Sequence, residues 1–146
     1  MPLHVIQNLK DPWIKVVKDD PVRPDIPVEF RVGDSTEIFV LISDSDEAEA
    51  AVCVAYRCSV PSNVIELAQS PELLPSVAVF YTIWSYRPGA GRKLILQARK
   101  WMEQHRTNIV EFVTLSPPTE MARVFHLKNG AEVLRINPET VNYLYP

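Results

Sequence analysis

Residues 76–91, SVAVFYTIWSYRPGAG, decide the fold of this chain. The first nine are almost all apolar, β-branched or aromatic, and they lack the polar alternation of a strand with one wet face. That pattern predicts a strand covered on both faces. Pro88 and the glycines at positions 89 and 91 then interrupt it. We therefore expect a buried strand that ends in a tight turn.

The segment after this turn has the spacing of an amphipathic helix. Apolar residues recur at helical spacing over residues 93–105, which predicts one face against the core. These residues are Leu94, Ile95, Ala98, Trp101 and Met102. Residues 108–115 have a strand pattern again. A strand–helix–strand connection of this kind implies that its two strands pair in parallel.

The end of the chain predicts one more helix and a closing pair of strands. The helix covers residues 117–128, with Ser116 or Pro117 at its start and Asn129-Gly130 at its end. Residues 131–136 and 140–145 are the two predicted strands.

The first half is rich in proline and predicts mainly antiparallel sheet. Residues 19–27, DDPVRPDIP, must be irregular, because each proline fixes φ and removes an amide donor. Residues 13–17 are a predicted helical turn, and residues 63–69 a short helix capped by Ser62. Strands are predicted over residues 28–32, 37–43 and 50–60, with an acidic hairpin tip at 44–49.

Together these elements predict an α/β (α+β) fold in one domain, residues 1–146. The sheet is mixed and mostly antiparallel, with a central parallel pair and helices on both faces. Residues 1–75 supply the N-terminal strands and short helices, and residues 76–146 carry the functional motifs. A length of 146 residues suits one such domain.

Composition narrows the class of partner. The net charge is -3 and there is no basic run, so no nucleic-acid partner is expected. No apolar run approaches the ~18 residues of a membrane span, and the N-terminus lacks the pattern of a signal peptide. Cys53 and Cys58 lie in one predicted strand, facing opposite ways, and are expected to be buried reduced thiols without metal-ligand spacing. We therefore expect a cytoplasmic protein without a metal.

The turn RPGAG is the first candidate for chemistry. Its glycines allow a ligand to approach the backbone, and the free amides of the first helical turn suit a pyrophosphate. Arg87, Arg92 and Lys93 add positive charge at a helix end that ordinarily favours acids. The alternative is an ordinary Pro-Gly turn in which the glycines only permit tight packing.

The pattern Gly89-Ala90-Gly91 followed by Leu94-Ile95 resembles the glycine-rich loop and helix of the GNAT superfamily, which cradles the pyrophosphate of CoA. The first position of the superfamily's pattern is usually glutamine or arginine, and here it is Tyr86. The resemblance implies a CoA site over residues 87–94. Its side chains and backbone would come from Arg87, Gly89, Ala90, Gly91, Arg92 and Lys93.

Four further segments, in this order, resemble the C-terminal catalytic domain of malonyl-CoA decarboxylase, which has a GNAT fold. They are FYTI at 80–83, VTLSP at 113–117, FHLKNGA at 125–131, and the C-terminal LRIN and VNYLY. The resemblance implies that Ser116 and His126 are the catalytic pair. It also places Ile83 and Asn129 at the CoA site. In other GNAT enzymes a tyrosine acid usually occupies the position of His126.

Two classes of function follow. The first is an enzyme acting on acetyl-CoA or malonyl-CoA, by transfer to an unknown acceptor or by decarboxylation. Residues 76–84 contain no acid of the kind that amine acetylation uses, and Glu111 and Glu120 are the remaining candidate bases. His126, with an ordinary pKa near 6.5, is the expected acid or base. The alternatives are that Ser116 caps the helix and that a carbonyl satisfies His126.

The second class is a catalytically inactive interaction or assembly module of the same fold. Residues 21–27 and 143–146 would then be docking surfaces. Homo-oligomers are possible in either class. An open cleft beside the glycines at 89–91 favours the enzyme, and a cleft filled by side chains favours the module.

Overall fold

The computed structural model describes residues 3–146, which form seven strands, four α-helices and a 3₁₀ helix. The strands are β1 (Leu3–Ile6), β2 (Thr36–Ile42), β3 (Ala48–Arg57), β4 (Val77–Ser85), β5 (Glu111–Thr114), β6 (Glu132–Ile136) and β7 (Val141–Leu144). The α-helices are α1 (Val28–Arg31), α2 (Val64–Leu67), α3 (Ala90–His105) and α4 (Glu120–Lys128). The 3₁₀ helix covers Pro12–Asp19.

All seven strands join one sheet in the order β1-β2-β3-β4-β5-β7-β6. Strand β4 pairs with β5 in parallel, and every other pair among residues 3–146 is antiparallel. The predicted sheet, with its central parallel pair, is therefore confirmed. Helix α3 connects the two parallel strands, as the sequence indicates.

Helices cover both faces of the sheet, as predicted. On one face α3 and α4 pack over a core that includes Phe80, Leu94 and Met102. On the other face the 3₁₀ helix, α1 and α2 pack over a second core. Strand β4 lies between the two cores, which explains its continuous apolar sequence.

The predicted strand at 28–32 is wrong: Val28–Arg31 is one turn of α-helix, α1. Pro27 precedes the turn at its N-cap, and the turn brings Arg31 into the protein interior. There the Arg31 guanidinium donates to Asp20 and to the carbonyl of Ile26. Five residues that alternate apolar and charged side chains, VEFRV, are too few to distinguish a strand from one helical turn.

Two predicted helix starts also differ from the structure. Asn63, not Ser62, caps α2, because its Oδ1 accepts the amide of Glu66 at 2.8 Å. Helix α4 begins at Glu120 and is capped by Thr119, whose hydroxyl accepts the amide of Ala122. Ser116 therefore lies outside this helix and does not cap it. The predicted C-terminal stop at Asn129-Gly130 is confirmed, with Gly130 at φ +97°.

The cysteine prediction is only half right. Cys53 is buried in β3, whereas Cys58 follows the end of that strand at Arg57 and is exposed. Burial raises the pKa of the Cys53 thiol to about 12. A bend at residues 58–59, shortly before Pro61, ends the strand earlier than its apolar sequence suggests.

A β-bulge in β4 shapes the centre of the molecule. Phe80 pairs with Val54 and Thr82 with Cys53, so Tyr81 is an extra residue without a partner in β3. Strands β4 and β5 pair only as far as Phe80 and Thr114. Bulges bend and twist a strand and often lie beside functional sites. Beyond Phe80 the two parallel strands part and leave a cleft between them.

Candidate active site

The cleft between β4 and β5 contains a cavity of about 340 Å³. The amide of Leu115 donates to the carbonyl of Phe80 at 3.1 Å, next to the point where the strands part. Helix α4 forms one wall, and residues before α1 form another. The cavity is lined by Pro21, Val22, Phe80, Tyr81, Thr82, Ile83, Trp84, Ser85, Gly91, Leu115, Ser116, Pro117, Thr119, Met121, Ala122, Phe125 and His126. None of these side chains is Asp, Glu, Lys or Arg.

His126 lies in the last turn of α4 and is 4% exposed. Its Nε2 is 3.2 Å from Ser116 Oγ, and its Nδ1 is 2.6 Å from the hydroxyl oxygen of Tyr145. Ser116 Oγ is in turn 2.8 Å from Thr114 Oγ1. Two hydroxyl groups, rather than a backbone carbonyl, thus satisfy the imidazole. The structure brings the two predicted catalytic residues together.

Burial determines the protonation states of His126 and Tyr145. It lowers the pKa of His126 to about 4, so the imidazole is neutral at pH 7. This value differs from the ordinary value near 6.5 that the sequence suggested. Burial also raises the pKa of the Tyr145 phenol, which therefore keeps its proton.

The hydrogen bonds indicate which nitrogen of His126 carries the proton. The Tyr145 hydroxyl has His126 Nδ1 within reach as an acceptor, so we assign Tyr145 as the donor to Nδ1. The ring proton of neutral His126 then sits on Nε2 and is donated to Ser116 Oγ. In this arrangement the Ser116 hydroxyl proton is free to donate to Thr114 or to a ligand in the cavity.

The glycine-rich loop leads into α3 at the other end of the cleft. Gly89 is the N-cap and has φ +80°, a conformation that favours glycine. The amides of Ala90 and Lys93 donate to the carbonyls of Arg87 and Gly89. Within residues 3–146, the amides of Gly91 and Arg92 make no hydrogen bond. The first turn of α3 therefore offers two free donors to an anion.

The three cations of the loop differ in their surroundings. Arg87 faces the β2–β3 hairpin, where its guanidinium is 3.5 Å from Glu47 and 3.6 Å from Glu49. Arg92 and Lys93 are exposed and form no ion pair within the described part of the chain. The positive charge available to a ligand at this helix end therefore comes chiefly from these two side chains.

The two glycines have different roles. A Cβ on Gly91 would lie 3.0 Å from the ring of Phe125, so this glycine permits tight packing between α3 and α4. A Cβ on Gly89 would meet no atom within 4 Å, and only its positive φ restricts substitution. The packing alternative thus applies to Gly91, and the space beside Gly89 is open.

The cavity collects some of the predicted site residues and not others. Those that line it are Ile83, Gly91, Ser116 and His126. Those outside its lining are Arg87, Gly89, Ala90, Arg92, Lys93 and Asn129. Asn129 ends α4, and its side-chain nitrogen is buried without a hydrogen-bond partner among residues 3–146. Glu111 and Glu120 are exposed and do not line the cavity.

Tyr86, at the position of the expected glutamine or arginine, has a structural contact. Its hydroxyl donates to Asp19 Oδ2 at 2.7 Å and accepts the indole N–H of Trp84 at 3.2 Å. The side chain thus ties the end of β4 to the 3₁₀ helix.

Sequence reasoning missed Tyr145 and Phe125 as parts of the site. The alternation of Val141, Tyr143 and Tyr145 places all three on one face of the last strand and its extension, and this signal was available. Tyr143 is 2% exposed and Tyr145 6% exposed, which contradicts the suggestion that residues 143–146 form a docking surface. The position of Phe125 depends on the packing of α4 against α3, which no local pattern reveals.

Two absences hold for residues 3–146. No group of three His, Cys, Asp or Glu side chains there suits a metal ion. No helix in the same range is long and apolar enough to cross a membrane.

The comparisons with known proteins find similarity in structure alone. No protein-family model matches the sequence, and a search of curated proteins finds no relative. Malonyl-CoA decarboxylase from Agrobacterium vitis superimposes with a TM-score of 0.82 and 20% identity, over 98% of this chain and 60% of that one. Malonyl-CoA decarboxylase from Rhodopseudomonas palustris superimposes with a TM-score of 0.79 and 19% identity, over 98% of this chain and 59% of that one.

The chain thus spans about 60% of the decarboxylase that it matches. The GNAT domain of S. lividans PAT matches with a TM-score of 0.65 and 14% identity, over 98% of this chain and 88% of that one. In this chain the likeness rests on a mixed seven-stranded sheet with one parallel pair and with helices on both faces. This chain therefore has the GNAT fold.

Proposed function

We propose that this protein is an enzyme acting on an acyl-CoA, with decarboxylation of a malonyl-type thioester as the reaction that its site fits best. One observation carries the proposal. A buried chain of hydrogen bonds from Tyr145 through His126 to Ser116 ends at the cavity where β4 and β5 part. A chain of this kind is expensive to bury and has no need to face a cavity if it serves packing alone.

The CoA portion would lie along the cleft from the loop to the cavity. The free amides of Gly91 and Arg92 would receive the pyrophosphate, with Arg92 and Lys93 adding charge. Ile83 and Phe125 would contact the pantetheine arm. The thioester would then reach the part of β4 beyond Phe80, where alternate backbone groups have a strand partner only on the β3 side.

Decarboxylation suits the neutral and mostly apolar cavity. The bond between the α-carbon and the carboxylate carbon breaks, CO2 leaves, and the bonding electrons form an enolate on the thioester. Hydrogen-bond donors at the developing oxyanion stabilise this species. The Ser116 hydroxyl donates to it or protonates its carbon, and a proton from water, passed through His126, restores the serine. The balance is one malonyl thioester and one proton to one acetyl thioester and CO2.

Transfer to an amine is the less favoured chemistry. An ammonium acceptor must lose a proton, and the cavity lining contains no carboxylate to assist. The same fold hosts both reactions, so the choice rests on the side chains of the cavity.

Binding of CoA, acetyl-CoA and malonyl-CoA by calorimetry tests the first part of the proposal. We expect the wild type to bind all three and the double variant Arg92→Glu/Lys93→Glu to lose about tenfold or more in affinity. These exposed side chains are better targets than Gly89, whose φ of +80° strains any replacement. Arg123→Glu is the matched control on exposed surface of α4.

Incubation with malonyl-CoA tests the second part. The wild type should release CO2 and form acetyl-CoA, and Ser116→Ala should do so far more slowly. Binding without CO2 release would leave an acyltransferase. No binding of CoA, acetyl-CoA or malonyl-CoA would refute the enzyme.

An inactive module of the same fold is the second candidate, and two contacts favour it. Phe125 covers Gly91, and Arg87 is engaged by Glu47 and Glu49 rather than free for phosphate. The binding measurement above separates this candidate from the enzyme.

A further inference from the structure

Arg23, in the proline-rich segment, spans the opening between the two parallel strands. Its Nε donates to the carbonyl of Tyr81 at 2.7 Å, and its Nη2 donates to the carbonyl of Leu115 at 2.8 Å. Tyr81 is the bulge residue of β4, and Leu115 follows the end of β5. One guanidinium therefore satisfies two carbonyls that lost their strand partners where the sheet opens.

A buried ion pair holds Arg23 in place. Asp20 Oδ1 accepts the amide of Arg23 and the hydroxyl of Thr82, and its Oδ2 accepts Arg31 Nη1 at 2.7 Å. Arg31 Nη2 also donates to the carbonyl of Arg23. Burial alone would raise the pKa of Asp20, but these hydrogen bonds hold it below its ordinary value. Asp20 and Arg31 are thus both ionised, and their opposite charges cancel.

The network is left with one positive charge. Burial lowers the pKa of Arg23, yet a guanidinium stays protonated at neutral pH. The Asp20 carboxylate already pairs with Arg31, and Nη1 of Arg23 makes no hydrogen bond within residues 3–146. An arginine with an uncompensated charge and a free donor favours an anion nearby.

This charge lies directly behind the wall of the cavity. The two residues before Arg23, Pro21 and Val22, line the cavity. So do Tyr81 and Leu115, whose carbonyls Arg23 holds. No charged side chain lines the cavity itself, so no other ionised side chain of the lining competes with Arg23 for an anion.

We propose that Arg23 is a specificity-determining residue that makes the cavity prefer acyl groups ending in a carboxylate over neutral acyl groups of the same length. The inference rests on the proposed acyl-CoA function and adds the residue that selects the acyl group. A carboxylate moved from water into a mostly apolar cavity loses its hydration, and a nearby cation offsets part of that loss.

The same charge suits the reaction as well as the binding. Loss of CO2 moves the negative charge from the carboxylate to the enolate, and the cavity keeps one negative charge throughout. A cation behind the wall therefore stabilises the substrate and the enolate to a similar extent. We expect Arg23 to affect KM for a carboxylated substrate more than kcat.

Paired thioesters measure the preference. Succinyl-CoA and butyryl-CoA have equal chain length, differ by a carboxylate against a methyl group, and do not undergo the proposed decarboxylation. We expect the wild type to bind succinyl-CoA about tenfold more tightly, the size of a partly screened charge interaction. Arg23→Gln should abolish the difference with butyryl-CoA binding retained. Arg23→Lys, which keeps the charge, should preserve it.

Two controls distinguish the effect of the Arg23 charge on binding from the effect of Arg23 on folding. Circular dichroism and thermal unfolding show whether each variant is folded, and Arg123→Gln removes an exposed charge as a control. Equal binding of the two thioesters by the wild type overturns the proposal even if Arg23→Gln does not fold. So does a folded Arg23→Lys variant that lacks the preference. Failure of the wild type to bind succinyl-CoA, butyryl-CoA and CoA itself refutes the proposed acyl-CoA function instead.

Discussion

The two ends of the cleft differ in burial and in charge. At one end His126, Ser116 and Tyr145 are buried, neutral and bound to one another. At the other end Arg92 and Lys93 are exposed, charged and unpaired within the described chain. A buried neutral network is fixed before any ligand arrives, whereas exposed charges attract a ligand without being held in place. Substitutions at the first end should therefore change chemistry and stability, and those at the second should change binding.

The largest effect is expected from the buried end. His126→Ala removes the group that contacts the Ser116 hydroxyl and, in the proposed mechanism, relays its proton. General acid–base groups typically contribute 10²–10⁴-fold to a rate. We expect CO2 release from malonyl-CoA to fall by about that factor, with the affinity for CoA nearly unchanged. His105→Ala, an exposed histidine on α3, is the control. A His126→Ala enzyme of normal rate would remove His126 from the mechanism.

An acid-induced loss of stability is the next effect in size. The folded pKa of His126, about 4, lies below its ordinary value of 6.5, so the unfolded state takes up the proton first as pH falls. This contribution to stability is complete above about pH 6.5 and is lost as pH falls to about 4. It amounts to about 3 kcal/mol.

Urea unfolding between pH 7 and pH 4 measures this contribution by comparing the wild type with His126→Gln. The wild type should lose more free energy of unfolding over this interval than the variant does. Parallel pH curves for the two proteins would show that the imidazole is more accessible to water than the structure indicates.

The smallest effect is expected from substitution of Gly91, and it distinguishes a packing role for this glycine from a ligand-binding role. A methyl group there meets the Phe125 ring at 3.0 Å, and the ring must move to admit it. We expect Gly91→Ala to lower the free energy of unfolding by about 1 kcal/mol, and Gly91→Ala combined with Phe125→Leu to recover part of the loss. Chemical denaturation of the two single variants and the double variant gives the coupling energy. A zero coupling would instead favour Gly91 as a position reserved for a ligand.

The second half of the chain was far more predictable than the first. Residues 76–115 carry long local patterns, a continuous apolar strand and a helix with a regular apolar face, and both elements appear as expected. Residues 28–32 offer a pattern of only five residues, and the buried ion pair between Arg31 and Asp20 determines their conformation. Local pattern failed where a long-range polar contact determined the structure.

The candidate site shows the same division. Ser116 and His126 were identified through a resemblance of short segments, and the structure places them 3.2 Å apart. The partners of Arg23 lie 58 and 92 positions away in sequence, so no local pattern indicates the contact. Nor could the sequence show the lowered pKa of His126, because that shift comes from burial of the imidazole against Tyr143 and Tyr145.

The two cysteines differ in exposure, so the rate at which each is alkylated reports on local opening of the structure. Cys58 is exposed and is available to an alkylating reagent in the folded protein. Cys53 is buried, with its pKa raised to about 12 and its sulfur 3.6 Å from Arg31 Nη1. Because the thiolate is the reactive form, Cys53 is labelled only when the segment from Asp20 to Arg31 lifts off the sheet. The rate of the second labelling step therefore measures the opening of the wall behind the cavity, and no cysteine has to be introduced for it.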